Sequence, residues 1–151
     1  MLCCCAPAAV GLQDGTAPFY AIKNIADLPE AVRGLGSFSR DVILAHKVVI
    51  PNIESLMERI TVPTITIMGL LQKYSVERLD LLQLDTEGYD FELLKMLDFK
   101  AVKPAIIHFE HVHLSSVDWS AACNLLASNE YRLAQVGPDT IAYRQFRRLG
   151  G

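Results

Sequence analysis

The order of apolar segments constrains the fold of this chain more than any other feature. Strands with near-continuous hydrophobicity are predicted at 79–85 and 104–111, each followed by a helical pattern, at about 89–98 and over 117–130. Strands that alternate with helices form βαβ units, in which parallel strands are covered by helices on both faces. The sequence therefore predicts an α/β protein with a mostly parallel sheet.

Further strands and helices are predicted around this centre. The additional strands are 8–12 and 17–22 around an Asp-Gly turn, 61–67 at a sheet edge because of Pro63, and 131–136 with 140–146 as a closing antiparallel hairpin. Helical patterns cover most of 41–60, where Ile53, Leu56, Met57 and Ile60 share one face, and the short stretch 68–74. The irregular stretch 23–40 is predicted to be a loop, and a length of 151 residues fits a single domain, 1–151.

Charge and cysteine usage exclude several classes of function. The net charge is −3 with both signs interleaved, so we expect no nucleic-acid partner. No apolar run reaches the roughly 20 residues that cross a bilayer, so no transmembrane segment is predicted. Cys3, Cys4 and Cys5 are adjacent and Cys123 stands alone, which matches neither a zinc site nor a disulfide framework. These features favour a cytoplasmic protein.

Polar residues follow both of the central strands. The first strand ends in Asp85-Thr86-Glu87-Gly88 and the second in Glu110-His111-Val112-His113. Ligands of open α/β sheets bind beyond the carboxyl ends of the strands, so neighbouring strands would bring these side chains together. Side chains alternate along a strand, so Glu110 and His111 should diverge. We therefore expect Asp85 close to one of these two residues and not to both.

Three kinds of role fit these residues, and the sequence leaves them open. A buried carboxylate or imidazole with a raised pKa can act as a general base on a substrate hydroxyl. Asp85 and Glu110 could instead bind Mg²⁺, or the histidines a transition metal. Acids that precede a helix can also simply stabilise its N-terminus. His108, inside the strand, is interpreted as a core residue.

The sequence resembles a known family over nearly its whole length. "LDLLQLDTEGYDFELLKMLDF", "PAIIHFEHVHLS" and "YRLAQVGPDTIAY" resemble the C-terminal part of the FkbM family of S-adenosylmethionine-dependent methyltransferases, whose hydrophobic strand ends in Asp-x-Glu-Gly. "AAVGLQDGTAPFY" is similar to a turn of that family, and "GSFSR" to its Ser-x-x-Arg segment, matched at Ser37 and Arg40.

The resemblance implies a Rossmann-like methyltransferase fold that moves a methyl group to a hydroxyl of a sugar or other small acceptor. The residues that it assigns to S-adenosylmethionine are Asp14, Ser37, Asp85 and Glu87, and those that it assigns to catalysis are Asp85, Glu110 and His111, with no metal ligand among them. The family's first strands and Gly-rich cofactor loop have no counterpart here, which predicts an N-terminally truncated domain. We therefore expect weak or no binding of S-adenosylmethionine by this chain alone.

Two other functions compete with the methyltransferase. A truncated sheet exposes an edge, which predicts self-association and suits a non-catalytic interaction module. A small metal-dependent hydrolase could use Asp85, Glu110 and His111. Dimer formation would favour the interaction module, and bound metal would favour the hydrolase.

Overall fold

The computed structural model describes residues 5–23 and 34–144. The chain divides into two compact units, Met1–Ile65 and Thr66–Gly151, each of which is described by itself. The single domain expected from chain length stays a prediction. Cys3, Cys4, most of the predicted loop 23–40 and the end of the last predicted strand lie outside the described residues. Within the described ranges, no helix is both long and apolar enough to cross a membrane.

The first unit contains a four-stranded mixed sheet. Its strands are β1 (Ala9–Val10), β2 (Gly15–Ile22), β3 (Gly36–Ser37) and β4 (Met57–Ile65), in the order β1-β4-β2-β3. β1 runs parallel to β4, and the other two pairs are antiparallel. The helices are α1 (Arg40–Ala45), a 3₁₀ turn (His46–Val48) and α2 (Ile53–Leu56). A buried cluster of Ile22, Leu35, Ile43, Ile50 and Ile53 forms the core of this unit.

The prediction of a helix as far as Ile60 is wrong beyond Leu56, where α2 ends. Met57 begins β4, which pairs with the whole of β2 from Met57 opposite Ile22 to Thr64 opposite Gly15. The following residues are largely β-branched, and a full ladder of backbone hydrogen bonds outweighs the modest helical preference of the sequence. Ile53 is fully buried as predicted, whereas Ile60 is 39% exposed on the strand.

The edge position predicted from Pro63 is also wrong. β4 lies between β1 and β2, so Pro63 sits in an interior strand, opposite Thr16. β1 pairs only with Thr64 and Ile65, so in the described part of the chain no strand lies beside Pro63 on that side. Proline, which has no backbone N–H, therefore leaves no hydrogen bond of the sheet unmade there. The two strands around the Asp-Gly turn do form, but β4 separates them.

The second unit has a mixed sheet with helices. Its strands are β5 (Leu81–Leu84), β6 (Ile106–Glu110), β7 (Tyr131–Val136) and β8 (Asp139–Arg144), in the order β5-β6-β8-β7. The helices are α3 (Ile67–Lys73), α4 (Asp90–Met96) and α5 (Ser116–Ser128). Each of these elements was predicted within a few residues of its observed bounds, and the closing hairpin of β7 and β8 is confirmed.

The mostly parallel, Rossmann-like sheet is not confirmed. Among the described strands, two of the six pairings are parallel, β1 with β4 and β5 with β6. What is established is a mixed α/β chain with two four-stranded mixed sheets.

The prediction that helices cover both faces of β5 and β6 is wrong. Ile107 and Phe109 are fully buried, but Leu81 is 51% and Ile106 41% exposed. One face of the sheet is packed and the other is partly open, which is the usual state of a sheet with antiparallel strands. Consecutive apolar residues in the sequence concealed this difference between the faces.

Candidate functional site

The candidate site lies where β5 and β6 end. The two strands are parallel neighbours with Leu84 opposite Phe109, so Asp85 and Glu110 follow at the same edge of the sheet. This adjacency is what the sequence predicted. Asp85 is exposed, whereas the Glu110 side chain is only 19% exposed.

A tight turn brings Glu87 into the site. Glu87 and Gly88 have φ angles of 52° and 92°, in the left-handed region that costs a glycine little. A Cβ atom at Gly88 would lie 3.3 Å from the carbonyl oxygen of His113. Gly88 therefore allows the turn to lie directly against the segment that follows β6.

Glu87, Glu110 and His113 form what we call the carboxylate–imidazole cluster. His113 Nε2 lies 3.4 Å from Glu87 Oε2 and 3.5 Å from Glu110 Oε2. One potential ligand atom from each residue lies within 4.8 Å of those of the other two. The Oε2 atom of Glu110 is buried and has no hydrogen-bond partner in the described part of the chain. The cluster can hold a positive group or accept a proton.

Burial raises the pKa of the Glu110 carboxyl above its ordinary value. His113 acts in the opposite direction and lowers the pKa, whereas the nearby charges of Asp85, Glu87 and Asp90 raise it further. A carboxylate whose pKa is raised holds a proton more readily than an exposed one, which suits a general base.

Asp90 is hydrogen-bonded to both of the segments that form the site. It is the first residue of α4 and is fully buried. Its Oδ2 accepts hydrogen bonds from the backbone N–H of Thr86 at 3.3 Å and from the Thr86 hydroxyl at 2.8 Å. Its Oδ1 accepts one from the backbone N–H of Glu110 at 3.3 Å. Asp90 therefore ties the turn after β5 to the end of β6.

Sequence reasoning missed Asp90, and it interpreted the neighbouring acids as possible helix caps. The N-cap of α4 is Tyr89, whose side chain makes no capping hydrogen bond in the described structure, so Asp85 and Glu87 do not occupy the capping position. The available signal was the spacing of Thr86 and Asp90, because a hydroxyl four residues before the first buried acid of a helix can bond to it.

His111 lies apart from the carboxylate–imidazole cluster. Its Nδ1 is 3.0 Å from the hydroxyl oxygen of Thr140, and its ring is tilted against that of Trp119 at a centroid distance of 5.7 Å. The divergence of Glu110 and His111 expected from side-chain alternation agrees with these contacts. The histidine beside Glu110 is His113, which sequence reasoning considered only as a possible ligand of a transition metal.

His108 is half-exposed and not a core residue. Its side chain is 31% exposed, with Nε2 3.4 Å from Asp139 Oδ2 on the neighbouring strand. It belongs to the open face of the sheet, which explains why the core interpretation was wrong.

Asp14 and Ser37 belong to the first unit. Asp14 is exposed directly before β2, and Ser37 is 7% exposed with its Oγ accepting the backbone N–H of Ser39 at 3.1 Å. The ring of Phe19 fills the space where a Cβ of Gly36 would lie, so that glycine serves packing. The assignment of Asp14 and Ser37 to a cofactor stays a prediction.

Comparison with known proteins identifies a matching family. A family model described as the methyltransferase FkbM domain matches residues 1–133 of the chain. No curated protein and no solved structure matches it.

Proposed function

The chain belongs to the FkbM methyltransferase family, and we propose that it transfers a methyl group from S-adenosylmethionine to a hydroxyl oxygen of a small acceptor such as a sugar. The observation that carries this proposal is the Glu110 carboxyl at the edge shared by β5 and β6. It is largely buried, its pKa is raised, and its Oε2 lacks a hydrogen-bond partner among the described residues. A hydroxyl group is the simplest donor for such an oxygen.

Glu110 acts in this proposal as the general base. Its Oε2 accepts the proton of the acceptor hydroxyl, and the neighbouring His113 then stabilises or receives that proton. Asp90 is a positioning residue, because its hydrogen bond to the Glu110 backbone fixes where β6 ends. The hydrolase set of Asp85, Glu110 and His111 has less support, since His111 contacts Thr140 and Trp119 instead.

The polar residues of the site fit S-adenosylmethionine. When bound, this cofactor supplies an electrophilic methyl group on a sulfonium, and it also carries an ammonium group and ribose hydroxyls. Carboxylates such as those of Asp85 and Glu87 suit positive groups and hydroxyl donors. The Gly-x-Gly sequence at 34–36 offers no backbone cradle, because Phe19 packs where a side chain of Gly36 would lie.

Methyl transfer is tested with the full chain at millimolar S-adenosylmethionine and a panel of sugars and polyols. We expect formation of S-adenosylhomocysteine that depends on the acceptor. Glu110→Gln should lower the rate by about 10²- to 10⁴-fold, the usual contribution of a general base. Glu77→Gln, the same substitution at an exposed residue of the second unit, should leave the rate unchanged. No acceptor-dependent product, or equal rates in both variants, would contradict the proposal.

Cofactor affinity is a separate measurement. We expect weak binding of S-adenosylmethionine by the chain alone, and calorimetry measures it directly. Tight binding would mean that the cofactor site has been misplaced.

Self-association is proposed through β5, which forms one edge of the second sheet and carries the exposed Leu81. Light scattering on the purified chain tests it, and a monomer at all concentrations would count against it.

A further inference from the structure

We propose that the carboxylate–imidazole cluster of Glu87, Glu110 and His113 binds a divalent transition-metal ion, with Zn²⁺ as the best fit. This inference goes beyond methyl transfer and does not depend on it. The two roles of Glu110 are alternatives, because its Oε2 cannot bind an ion and accept the proton of a hydroxyl at the same time. The family resemblance assigns no metal ligand, whereas the residue pattern alone left a transition metal at the histidines open.

The distances match a metal site better than a hydrogen-bonded cluster. Hydrogen bonds from a ring nitrogen to a carboxylate are usually about 2.7–3.0 Å long. Here His113 Nε2 lies 3.4 and 3.5 Å from the two carboxylate oxygens. Two ligands bound tetrahedrally at about 2.0–2.1 Å from one zinc ion are about 3.3–3.4 Å apart. The two distances from His113 are therefore nearly those that a shared ion requires, and the ligand atoms of Glu87 and Glu110 lie within 4.8 Å of each other.

One ligand atom is buried without another role. Glu110 Oε2 is inaccessible and makes no hydrogen bond to the described residues, although it lies beside His113. A buried polar atom without a partner is destabilising, so native structures normally supply one. An ion between Glu110 and His113 would be such a partner.

The charge of the site favours a cation. The carboxylates of Glu87 and Glu110 are joined by those of Asp85 and Asp90, whose charges act on Glu110. Asp90 is already committed to three hydrogen bonds, and Asp85 is exposed. Two carboxylates and a neutral imidazole then leave at least one position of the ion open to water or substrate.

The ligand types select the metal. An imidazole nitrogen favours zinc and its neighbours in the first transition row, whereas Mg²⁺ and Ca²⁺ are bound by oxygen alone in most sites. The cluster contains no sulfur ligand, which distinguishes it from thiolate sites. Zn²⁺ should therefore bind more tightly than Mg²⁺.

The ligands come from two segments that are held in place. Glu87 lies in the turn after β5, and Glu110 and His113 lie at and just after the end of β6. The close approach of Gly88 to the His113 backbone and the hydrogen bonds of Asp90 fix these segments relative to each other. A preorganised arrangement of this kind lowers the entropic cost of binding an ion.

Titration calorimetry with Zn²⁺ on the chelator-treated full chain tests the proposal. The background carries Cys3→Ser, Cys4→Ser and Cys5→Ser, so that adjacent thiolates cannot bind the added zinc. We expect one ion per chain, and His113→Gln should weaken binding by about 10-fold or more. The matched control is His108→Gln, a histidine on the same strand as Glu110 but outside the cluster. Its affinity should equal that of the parent.

If circular dichroism shows that His113→Gln does not fold, two further measurements test the site. Glu87→Gln removes a second ligand whose side chain is 33% exposed and should also weaken binding by about 10-fold or more. X-ray absorption of the zinc-loaded parent should show nitrogen and oxygen ligands only. Absence of zinc binding, tighter binding of Mg²⁺, sulfur ligation, or equal losses in the His108 and His113 variants would overturn the proposal.

Discussion

Removing the Asp90 carboxylate should destabilise the second unit by about 2–3 kcal/mol. Hydrogen bonds to a charged group contribute about 1.5–3 kcal/mol each, and the two bonds of 3.3 Å lie at or below the weak end of that range. The Thr86 hydroxyl is only partly buried and can turn to water in Asp90→Ala, but the backbone N–H groups of Thr86 and Glu110 cannot. Asp90→Ala also removes the cost of keeping a carboxylate away from water, and this gain offsets part of the lost stability.

Asp90→Asn removes the charge of the side chain but keeps its size and shape. Its single amide oxygen can keep the two bonds to Thr86, but its NH₂ group then faces the N–H of Glu110. We expect a loss of about 1–2 kcal/mol, smaller than for Asp90→Ala. Urea denaturation followed by the fluorescence of Trp119, the single tryptophan of the chain and part of the second unit, measures both values.

The control for these variants is Asp80→Ala. Asp80 pairs with Arg78 on the surface, its side chain is 68% exposed, and such pairs contribute about 0–1 kcal/mol. If Asp90→Ala is as stable as the parent or as Asp80→Ala, the argument that Asp90 ties β5 to β6 is refuted.

Two further predictions concern buried polar groups. Because the folded-state pKa of Glu110 is raised, the stability that its proton contributes is complete below the ordinary value near 4.5 and is lost as pH rises through the raised value. With a chelator present, Glu110→Gln should therefore gain stability relative to the parent between pH 4 and pH 7.5, and a constant difference in stability over that range would contradict this expectation. The Tyr131 hydroxyl donates to the Pro104 carbonyl at 2.6 Å and burial raises its pKa to about 12, so Tyr131→Phe should cost about 1–2 kcal/mol in urea denaturation. Tyr143→Phe, at a residue 39% exposed, should cost nothing, and equal effects of the two changes would contradict this account.

Local pattern predicted the second unit better than the first. From 79 to 136 the period of the apolar residues and the turn residues agree with the observed strands and helices, so each element was found. Met57 to Ile60 fit a helix by spacing, and only the eight-residue ladder with β2 makes them a strand. Pairing partners of that kind are distant in the sequence and leave no local signal.

The candidate site was predicted in part. The alternation of strands and helices predicted that β5 and β6 are parallel neighbours, with Asp85 and Glu110 at the same edge of the sheet. The family resemblance named His111, whereas the histidine beside Glu110 is His113, because a turn after Glu110 returns His113 to the side of Glu87. Asp90 was missed because its hydrogen bonds reach residues on two strand ends that meet only after folding.

The order β5-β6-β8-β7 has a consequence for how the second sheet assembles. β6 does not pair with β7, the next strand in the sequence. Its second neighbour is β8, which lies between β6 and β7. During synthesis the backbone edge of β6 therefore stays unpaired until Asp139–Arg144 has left the ribosome, and contacts so distant in sequence form slowly. Among the described strands, β8 comes last in the sequence and is thus the one that closes the sheet.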